Sequence, residues 1–224
     1  MMPVGSERPY SPMTDYSDEE LMGMVGNDDV SAFERLFHRH KRRVFDFLYR
    51  MTWNTEEAKD CTQETFLRLW QARARYSPKA KFTTYLFQIA KNHFLDRRRK
   101  QRSRVHLQNS PVDGAGQLLE MPGSSASAYE VAVANEIRSA ISQAAARLPE
   151  THRIVYVLSQ GHRMSYSEIA AILGCPVGTV SSRKVEAVKK LRKMLEPLKD
   201  ELLGKGFRSD KDGSFDKNDQ EMDG

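Results

Sequence analysis

Apolar residues recur every three to four positions along most of the chain, which is the period of an α-helix. In the first half, the pattern predicts a short helix over 17–26, a long helix from Ser31, and further helices over 55–73 and 82–102. Residues 17–20 read Ser-Asp-Glu-Glu, a capping box that starts the first helix. The apolar face of the long helix is formed by Phe33, Leu36, Phe37, Val44, Phe47, Leu48 and Met51.

The second half contains a helix-turn-helix pattern. Ser165 and Glu168 form a second capping box, and Gly174 followed by Pro176 predicts a chain reversal. A second helix then begins at about Val177. Its predicted inner face consists of Val177, Val180, Val188, Leu191 and Leu195. Its predicted outer face consists of Gly178, Thr179, Ser181, Ser182, Arg183 and Glu186. Small polar residues at the front of an exposed helix favour entry into a DNA major groove.

Between these halves lies a polar stretch rich in Gly, Ser and Pro, which is typical of a flexible tether. In the second half, helices are also predicted from Ser127 to Arg147 and from Pro149 to Gln160, and Pro197 is expected to stop or kink the last helix. We therefore predict an all-α fold of two small helical domains, a four-helix N-terminal domain and a C-terminal helix-turn-helix domain. The predicted boundaries are a disordered lead-in over 1–16, the first domain over 17–104, the linker over 105–126, the second domain over 127–200 and a disordered charged tail over 201–224.

Charge is unevenly distributed along the 224 residues, which carry a formal net charge of +5. Six of the eight residues over 97–104 are basic, which favours a polyanionic partner at that point. The two cysteines, Cys61 and Cys175, fit neither a disulfide framework nor a zinc site, and we expect both to be buried. No cofactor or metal is predicted. With no apolar run long enough for a signal peptide or a membrane span, we expect a soluble, cytoplasmic protein without membrane insertion.

The third predicted helix has a patterned polar face. Asp60, Gln63, Glu64 and Leu67 are spaced i, i+3, i+4, i+7 and therefore share one side of the helix. A polar face of this kind is suitable for a helical partner. An ordinary solvated face is the alternative.

Aromatic residues precede a cationic helix end in the fourth predicted helix. Exposed rings stack on unpaired bases, and Lys and Arg bind phosphates, so the segment 81–100 suits single-stranded or melting DNA. As alternatives, Phe82, Tyr85, Leu86, Ile89 and Phe94 could be core residues, with Leu86 and Ile89 expected to be so, and the basic end could offset the helix dipole.

Together the two halves resemble the extracytoplasmic-function group of bacterial sigma factors. The resemblance covers about residues 18–200. It depends on Asp60-x-x-Gln63-Glu64, on the segment from Phe82 through Asn92 and Asp96 to Arg97, on Leu148-Pro149, and on the run from Leu173 to Arg183.

The resemblance implies an initiation subunit of RNA polymerase with three binding surfaces, and an anti-sigma factor as a further partner. The implied surface for core RNA polymerase consists of Asp60, Gln63, Glu64 and Leu67. The implied surface for the minus-ten element of promoter DNA consists of Tyr76, Lys81, Phe82, Asn92, Asp96, Arg97, Arg98 and Arg99. The implied surface for the minus-thirty-five element consists of Pro176, Gly178, Thr179, Ser181, Ser182, Arg183, Lys184 and Glu186.

Within the recognition helix, Ser181 and Glu186 stand where the family often carries basic residues. Glu186 could accept a hydrogen bond from a cytosine amine, or it could face solvent or Lys190.

Two other functions remain as alternatives. An autonomous helix-turn-helix regulator would bind duplex DNA without polymerase, commonly as a dimer. An RNA-binding protein would use the aromatic and basic helix and prefer single strands. Neither alternative explains the patterned face at Asp60, and the sequence contains no residue set typical of a catalytic site, so we expect a protein that is not an enzyme.

Overall fold

The described part of the computed structural model comprises residues 16–77, 80–105, 137 and 139–206. Its regular elements are all helical, which confirms the predicted all-α fold class. They are α1 Asp18–Gly26, α2 Val30–Thr52, α3 Thr55–Gln71, a short 3-10 turn Arg73–Arg75, α4 Phe82–Val105, α5 over 139–146, α6 Glu150–Tyr156 continued by a π-helical turn Val157–Gly161, α7 Tyr166–Leu173 and α8 Val177–Gly206.

Both predicted capping boxes are present. At α1, the Ser17 hydroxyl accepts a hydrogen bond from the Glu20 amide, and the Glu20 carboxylate accepts from the Ser17 amide at 2.7 Å. Ser165 and Glu168 repeat this arrangement at α7. Helices α2 and α3 begin at single side-chain caps, Asp29 and Asn54. These caps satisfy amides that have no partner within the helix, and they fix where each helix begins.

Helices α1 to α4 pack around one group of large apolar side chains. α2 lies against α1 and α3, and α3 lies against α4. The largest fully buried residues of this group are Leu21, Met22, Leu36, Phe47, Leu48, Met51, Leu69, Phe82, Leu86, Phe87 and Phe94. Leu86 is buried as expected, whereas Ile89 is half-buried.

The core continues from the first half of the chain into the second. Residues on α6, the π-helical turn, α7 and α8, including Ile154, Leu158, Ile169, Ile172 and Val180, belong to the same buried cluster as the side chains of α1 to α4. A smaller second cluster joins α5 to α8. The two halves therefore pack against each other, mainly through α4 and α7. The domain boundaries themselves stay a prediction.

Two expectations about helix ends are corrected. Of the two outcomes expected at Pro197, a stop or a kink, the stop is wrong, because α8 continues through Pro197 to Gly206. The tail predicted as disordered from 201 therefore begins with helical residues. A proline costs a helix about 3 kcal/mol by removing one amide donor and crowding the previous turn, which weakens a helix without requiring it to end. The helix predicted from Pro149 to Gln160 changes to π-helical geometry at Val157. The predictions for 1–15, for 106–136 and for 207–224 lie outside the described residues.

Candidate functional site

The four residues of the patterned face line one groove. Asp60, Gln63, Glu64 and Leu67 project from α3, and His93 and Arg97 of α4 complete a groove of about 410 Å³. Leu67 is 49% exposed, which is unusual for a leucine in a packed helix and leaves it available to a partner. The prediction that these four side chains share one face of α3 is therefore confirmed.

Charges of both signs line this groove. The Arg97 guanidinium lies 3.2 Å from a Glu57 carboxylate oxygen and 3.9 Å from an Asp60 oxygen. Glu64 pairs with Arg68 one helical turn away at 2.8 Å. The Arg97–Asp60 and Glu64–Arg68 pairs are partly exposed and contribute little to stability, so the groove keeps polar groups that a partner can bind without a large desolvation cost.

His93 was not predicted as part of the site. It is buried, and neither ring nitrogen has a hydrogen-bond partner within the described part of the chain. Burial lowers its pKa, and the nearby charge of Arg68 lowers it further. A neutral imidazole thus forms the floor of the groove. The sequence signal that could have identified His93 is its place on the face of α4 that packs against α3.

An apolar groove adjoins the first one and shares Gln63 and Leu67 with it. Its volume is also about 410 Å³, and it lies between α2 and α3. The remaining lining residues are Val30, Phe33, Phe37, Phe66 and Trp70. Helical periodicity assigns most of these residues to the core, but Phe33, Phe37 and Trp70 are only half-buried.

The predicted minus-ten residues begin at the loop before α4. Phe82 is fully buried, so of the two alternatives for its ring, an exposed stacking platform and a core residue, the second is correct. Its amide donates to the Glu19 carboxylate at 2.7 Å. Tyr76 is half-buried against Phe82 and Tyr85, with ring centroids 6.4 and 5.3 Å away. Lys81 is 72% exposed, and its ammonium lies 2.9 Å from Glu168 of α7.

The remaining minus-ten residues follow along α4. Asn92 and Arg99 are exposed, and Asp96 pairs with Arg99 at 3.5 Å and with Arg68 at 4.0 Å. Arg98 differs from its neighbours because its Nε atom is buried. The basic end of α4 is therefore only partly presented to solvent.

The turn of the helix-turn-helix has the predicted geometry. Gly174 ends α7 in the left-handed conformation, with φ of 64°, and α8 begins at Val177 after Pro176. Val177 is 46% exposed, although the pattern placed it on the inner face, whereas Val180 is fully buried as predicted. Val177, the first residue of α8, therefore lies at the surface, and the helix meets the core from Val180 onward.

The predicted recognition residues form an accessible surface at the start of α8. The half-buried ones are Thr179, Ser181, Arg183 and Lys184, and the exposed ones are Pro176, Gly178, Ser182 and Glu186. Both cations of this surface contact neighbouring elements. The Lys184 ammonium lies 5.2 Å from the centre of the Tyr166 ring on α7, and an Arg183 nitrogen lies 3.9 Å from the Cys175 sulfur in the turn.

The two cysteines differ from each other. Cys61 is buried, and burial raises the pKa of its thiol to about 11. Cys175 is only half-buried, so the expectation of burial is correct for Cys61 alone.

The helix-turn-helix and the basic helix end are features of DNA-binding proteins, and the polar groove lies on a separate helical half. The family model described as Sigma-70 region 2 matches residues 36–104, and the model described as Sigma-70, region 4 matches residues 138–191. The chain is 30% identical to the RNA polymerase sigma-H factor of Pseudomonas aeruginosa, over 83% of this chain and 97% of that protein. It is 31% identical to the ECF RNA polymerase sigma factor SigW of Bacillus subtilis, over 78% and 94%.

Among solved structures, the fold is similar to that of the sigma factor RpoE in complex with the anti-sigma factor NepR from Bartonella quintana. The TM-score is 0.62 and the identity 22%, over 75% of this chain and 98% of that chain. The present chain belongs to the extracytoplasmic-function group of the sigma-70 family of RNA polymerase sigma factors. In the part of the chain that the structure describes, no helix is both long and apolar enough to cross a membrane.

Proposed function

We propose that this sigma factor binds core RNA polymerase through the groove formed by Asp60, Gln63, Glu64 and Leu67. The observation that carries the proposal is the convergence of these residues on one accessible groove. The neighbouring apolar groove extends the same surface through Leu67. A coiled-coil partner presents both polar and apolar side chains, and the two adjoining grooves fit that combination.

The segment from Tyr76 to Arg99 then serves the minus-ten element. Lys81, Asn92 and Arg99 are the accessible members, and they supply phosphate contacts and hydrogen bonds. Buried Phe82 supports the loop from beneath while Tyr76 remains partly accessible for stacking. Capturing a flipped base offsets the few kcal/mol that unpairing and unstacking cost.

The front of α8 reads the minus-thirty-five element in the major groove. Small side chains at Gly178 and Ser182 permit close approach, while Arg183 and Lys184 contact phosphates. Glu186 is exposed, and in this proposal its carboxylate accepts from a cytosine amine.

We further propose that the chain acts as a specificity subunit without chemistry of its own, and that it works in the cytoplasm. An anti-sigma factor is the proposed inhibitory partner. The structural relative from Bartonella quintana was solved with such a factor bound, and inhibition of this kind would require covering one of the surfaces described above.

The test is transcription by purified core polymerase, with and without the chain, on sheared host DNA, followed by sequencing of transcript 5′ ends. New start sites sharing a two-part upstream pattern are expected. The absence of both new starts and co-purification with core would overturn the proposal. DNA binding by the chain alone, as a dimer, would favour an autonomous regulator.

A further inference from the structure

A cleft of about 290 Å³ lies at the end of α2, and no residue of the three proposed binding surfaces lines it. Arg50 and Trp53 form one side of the cleft, and the other side comes from α5, α6, the π-helical turn and Arg163. Small-molecule sites begin at about 300 Å³. The cleft is therefore large enough for a small ligand, and the polymerase and DNA surfaces do not account for it.

One wall of the cleft is the π-helical turn Val157–Gly161. π-Helical geometry is rare, and it occurs frequently at functional sites. His162, the residue after the turn, packs against Phe47 of α2 and Phe87 of α4, with ring centroids 6.2 and 5.0 Å away. These aromatic contacts hold the turn against α2 and fix the width of the cleft.

The backbone of the cleft is strained at two further positions. Trp53 has a φ of 56° and Arg163 has a φ of 53°, and both residues line the cleft. Residues with a Cβ rarely adopt this left-handed conformation, bulky ones least of all. Of the three non-glycine residues with a positive φ in the described part of the chain, two therefore border the same cleft. Strain of this kind clusters at ligand sites.

The cleft carries positive charge, and none of its described lining residues is acidic. Arg50 and Arg163 are exposed, and neither forms an ion pair with a described carboxylate. Asp46, one turn before Arg50 on α2, interacts with its charge but does not line the cleft. A Cβ placed at Gly161 would lie 3.9 Å from Nε and Cζ of Arg50, so this guanidinium lies beside the π-helical turn. Guanidinium groups bind phosphate and carboxylate groups through two parallel hydrogen bonds, so the cleft favours an anion.

The rest of the wall is mainly aromatic and aliphatic. Trp53 and Tyr156 contribute rings, and Ile141, Ala145 and Val157 contribute aliphatic side chains. The indole N–H of Trp53 is buried and has no hydrogen-bond partner among the described residues, so an acceptor is missing at this ring. A ligand with a flat apolar body would pack on these side chains while the arginines fix its charged group.

We propose that this cleft is a binding site for a small organic anion, in which a phosphate or carboxylate group is attached to a flat apolar body. Arg50 from α2 and Arg163 from the segment after the π-helical turn bind the oxyanion, and the apolar body lies against Trp53 and Tyr156. The inference does not depend on the proposed function, because no residue assigned to polymerase or DNA takes part.

Tryptophan fluorescence tests the site in the full chain without polymerase or DNA. The chain has two tryptophans, Trp53 and Trp70, so in a Trp70→Phe chain all tryptophan emission comes from Trp53. We expect a saturable change with phenyl phosphate or benzoate, with a Kd of about 1 mM or lower, and the tighter of the two identifies the oxyanion.

Two matched probes test the parts of the ligand separately. Benzyl alcohol lacks the charge and inorganic phosphate lacks the apolar body, so each should bind at least about tenfold more weakly than the better organic anion. The proposal is overturned if neither organic anion gives a saturable change, or if either matched probe binds as tightly as the better anion.

Arg50→Gln and Arg163→Gln test the two cations. Each should weaken binding of the better anion at least about tenfold, because a charge-assisted hydrogen bond is lost. Both side chains are exposed, and circular dichroism verifies that the variants keep the fold. Arg35→Gln removes another exposed arginine of α2, outside the cleft, and should leave the affinity unchanged. Equal losses from all three variants would mean attraction to the net positive charge of the protein, and would refute the site.

Discussion

Nη2 of Arg97 lies 3.9 Å from Oδ2 of Asp60, so a residue assigned to the minus-ten surface contacts a residue assigned to the polymerase surface. Glu57 accepts from the same guanidinium at a shorter distance, 3.2 Å. A partner that binds the Asp60 carboxylate therefore competes with Arg97 for it. We expect the two proposed binding events to be coupled, because a partner that takes Asp60 leaves the constant positive charge of Arg97 less neutralised and more available to a phosphate.

Leu67→Asp should weaken binding to core polymerase. Leu67 is 49% exposed and joins the polar groove to the apolar one, so a charge there would remain unpaired when the partner covers it. We expect a loss of about 2 kcal/mol or more, or about thirtyfold, as for a central interface residue. Surface plasmon resonance against immobilised core polymerase measures this loss of affinity.

Val185→Asp is the matched control for that experiment. Val185 is 65% exposed on α8, away from both grooves, and the same substitution there should leave polymerase binding unchanged. Equal losses from the two variants would mean that Leu67 has no specific part in the interface.

Glu186→Ala should relax sequence preference at one base pair of the minus-thirty-five element. If the carboxylate accepts from a cytosine amine, its removal costs about 1–3 kcal/mol of discrimination at that position. Lys184→Ala should instead weaken binding to all sequences and reduce the slope of log affinity against log salt by about 0.9. Binding of the two variants to a set of single-base variants of the element, at several salt concentrations, separates these effects. An unchanged sequence preference, with affinity for every sequence unchanged or uniformly higher because a negative charge near the phosphates is gone, would mean that Glu186 faces solvent.

His162 should make stability depend on pH. Burial, reinforced by the positive charges of Arg43 and Arg50, lowers the pKa of His162 to about 4. An unfolded histidine has a pKa of about 6.5 and binds a proton that the folded chain excludes. The stabilisation is therefore complete above pH 6.5 and is lost as the pH falls towards 4, by roughly 3 kcal/mol.

Urea unfolding between pH 7 and 4, compared for the wild type and His162→Phe, measures this effect. Phenylalanine keeps the aromatic contacts with Phe47 and Phe87 but does not titrate. The variant should lose less stability on acidification, while His40 and His93, whose pKa values are also lowered, act equally in both proteins. Identical pH profiles would contradict the assignment.

Local features of the fold could be predicted from the sequence because they depend on neighbouring residues. Both capping boxes and the turn at Gly174 are contained within a few positions, and the common face of Asp60 and Leu67 follows from the helical period. The period does not determine which helix covers a face. The Phe82 amide donates to Glu19, 63 positions earlier, and the Lys81–Glu168 contact joins residues of different halves, so neither contact could be predicted.

Gly174→Ala should destabilise the protein through backbone strain alone. Gly174 has a φ of 64°, and a Cβ placed there meets nothing within 4 Å, so no steric contact opposes the substitution. A left-handed conformation costs a residue with a Cβ about 1–2 kcal/mol. Gly23→Ala is the matched control: it also has open space, but it lies within α1 at a helical φ, where alanine should stabilise by up to about 1 kcal/mol. Opposite signs in thermal or urea unfolding are therefore expected, and a stabilising Gly174→Ala would mean that the turn does not hold the left-handed geometry on which the position of α8 depends.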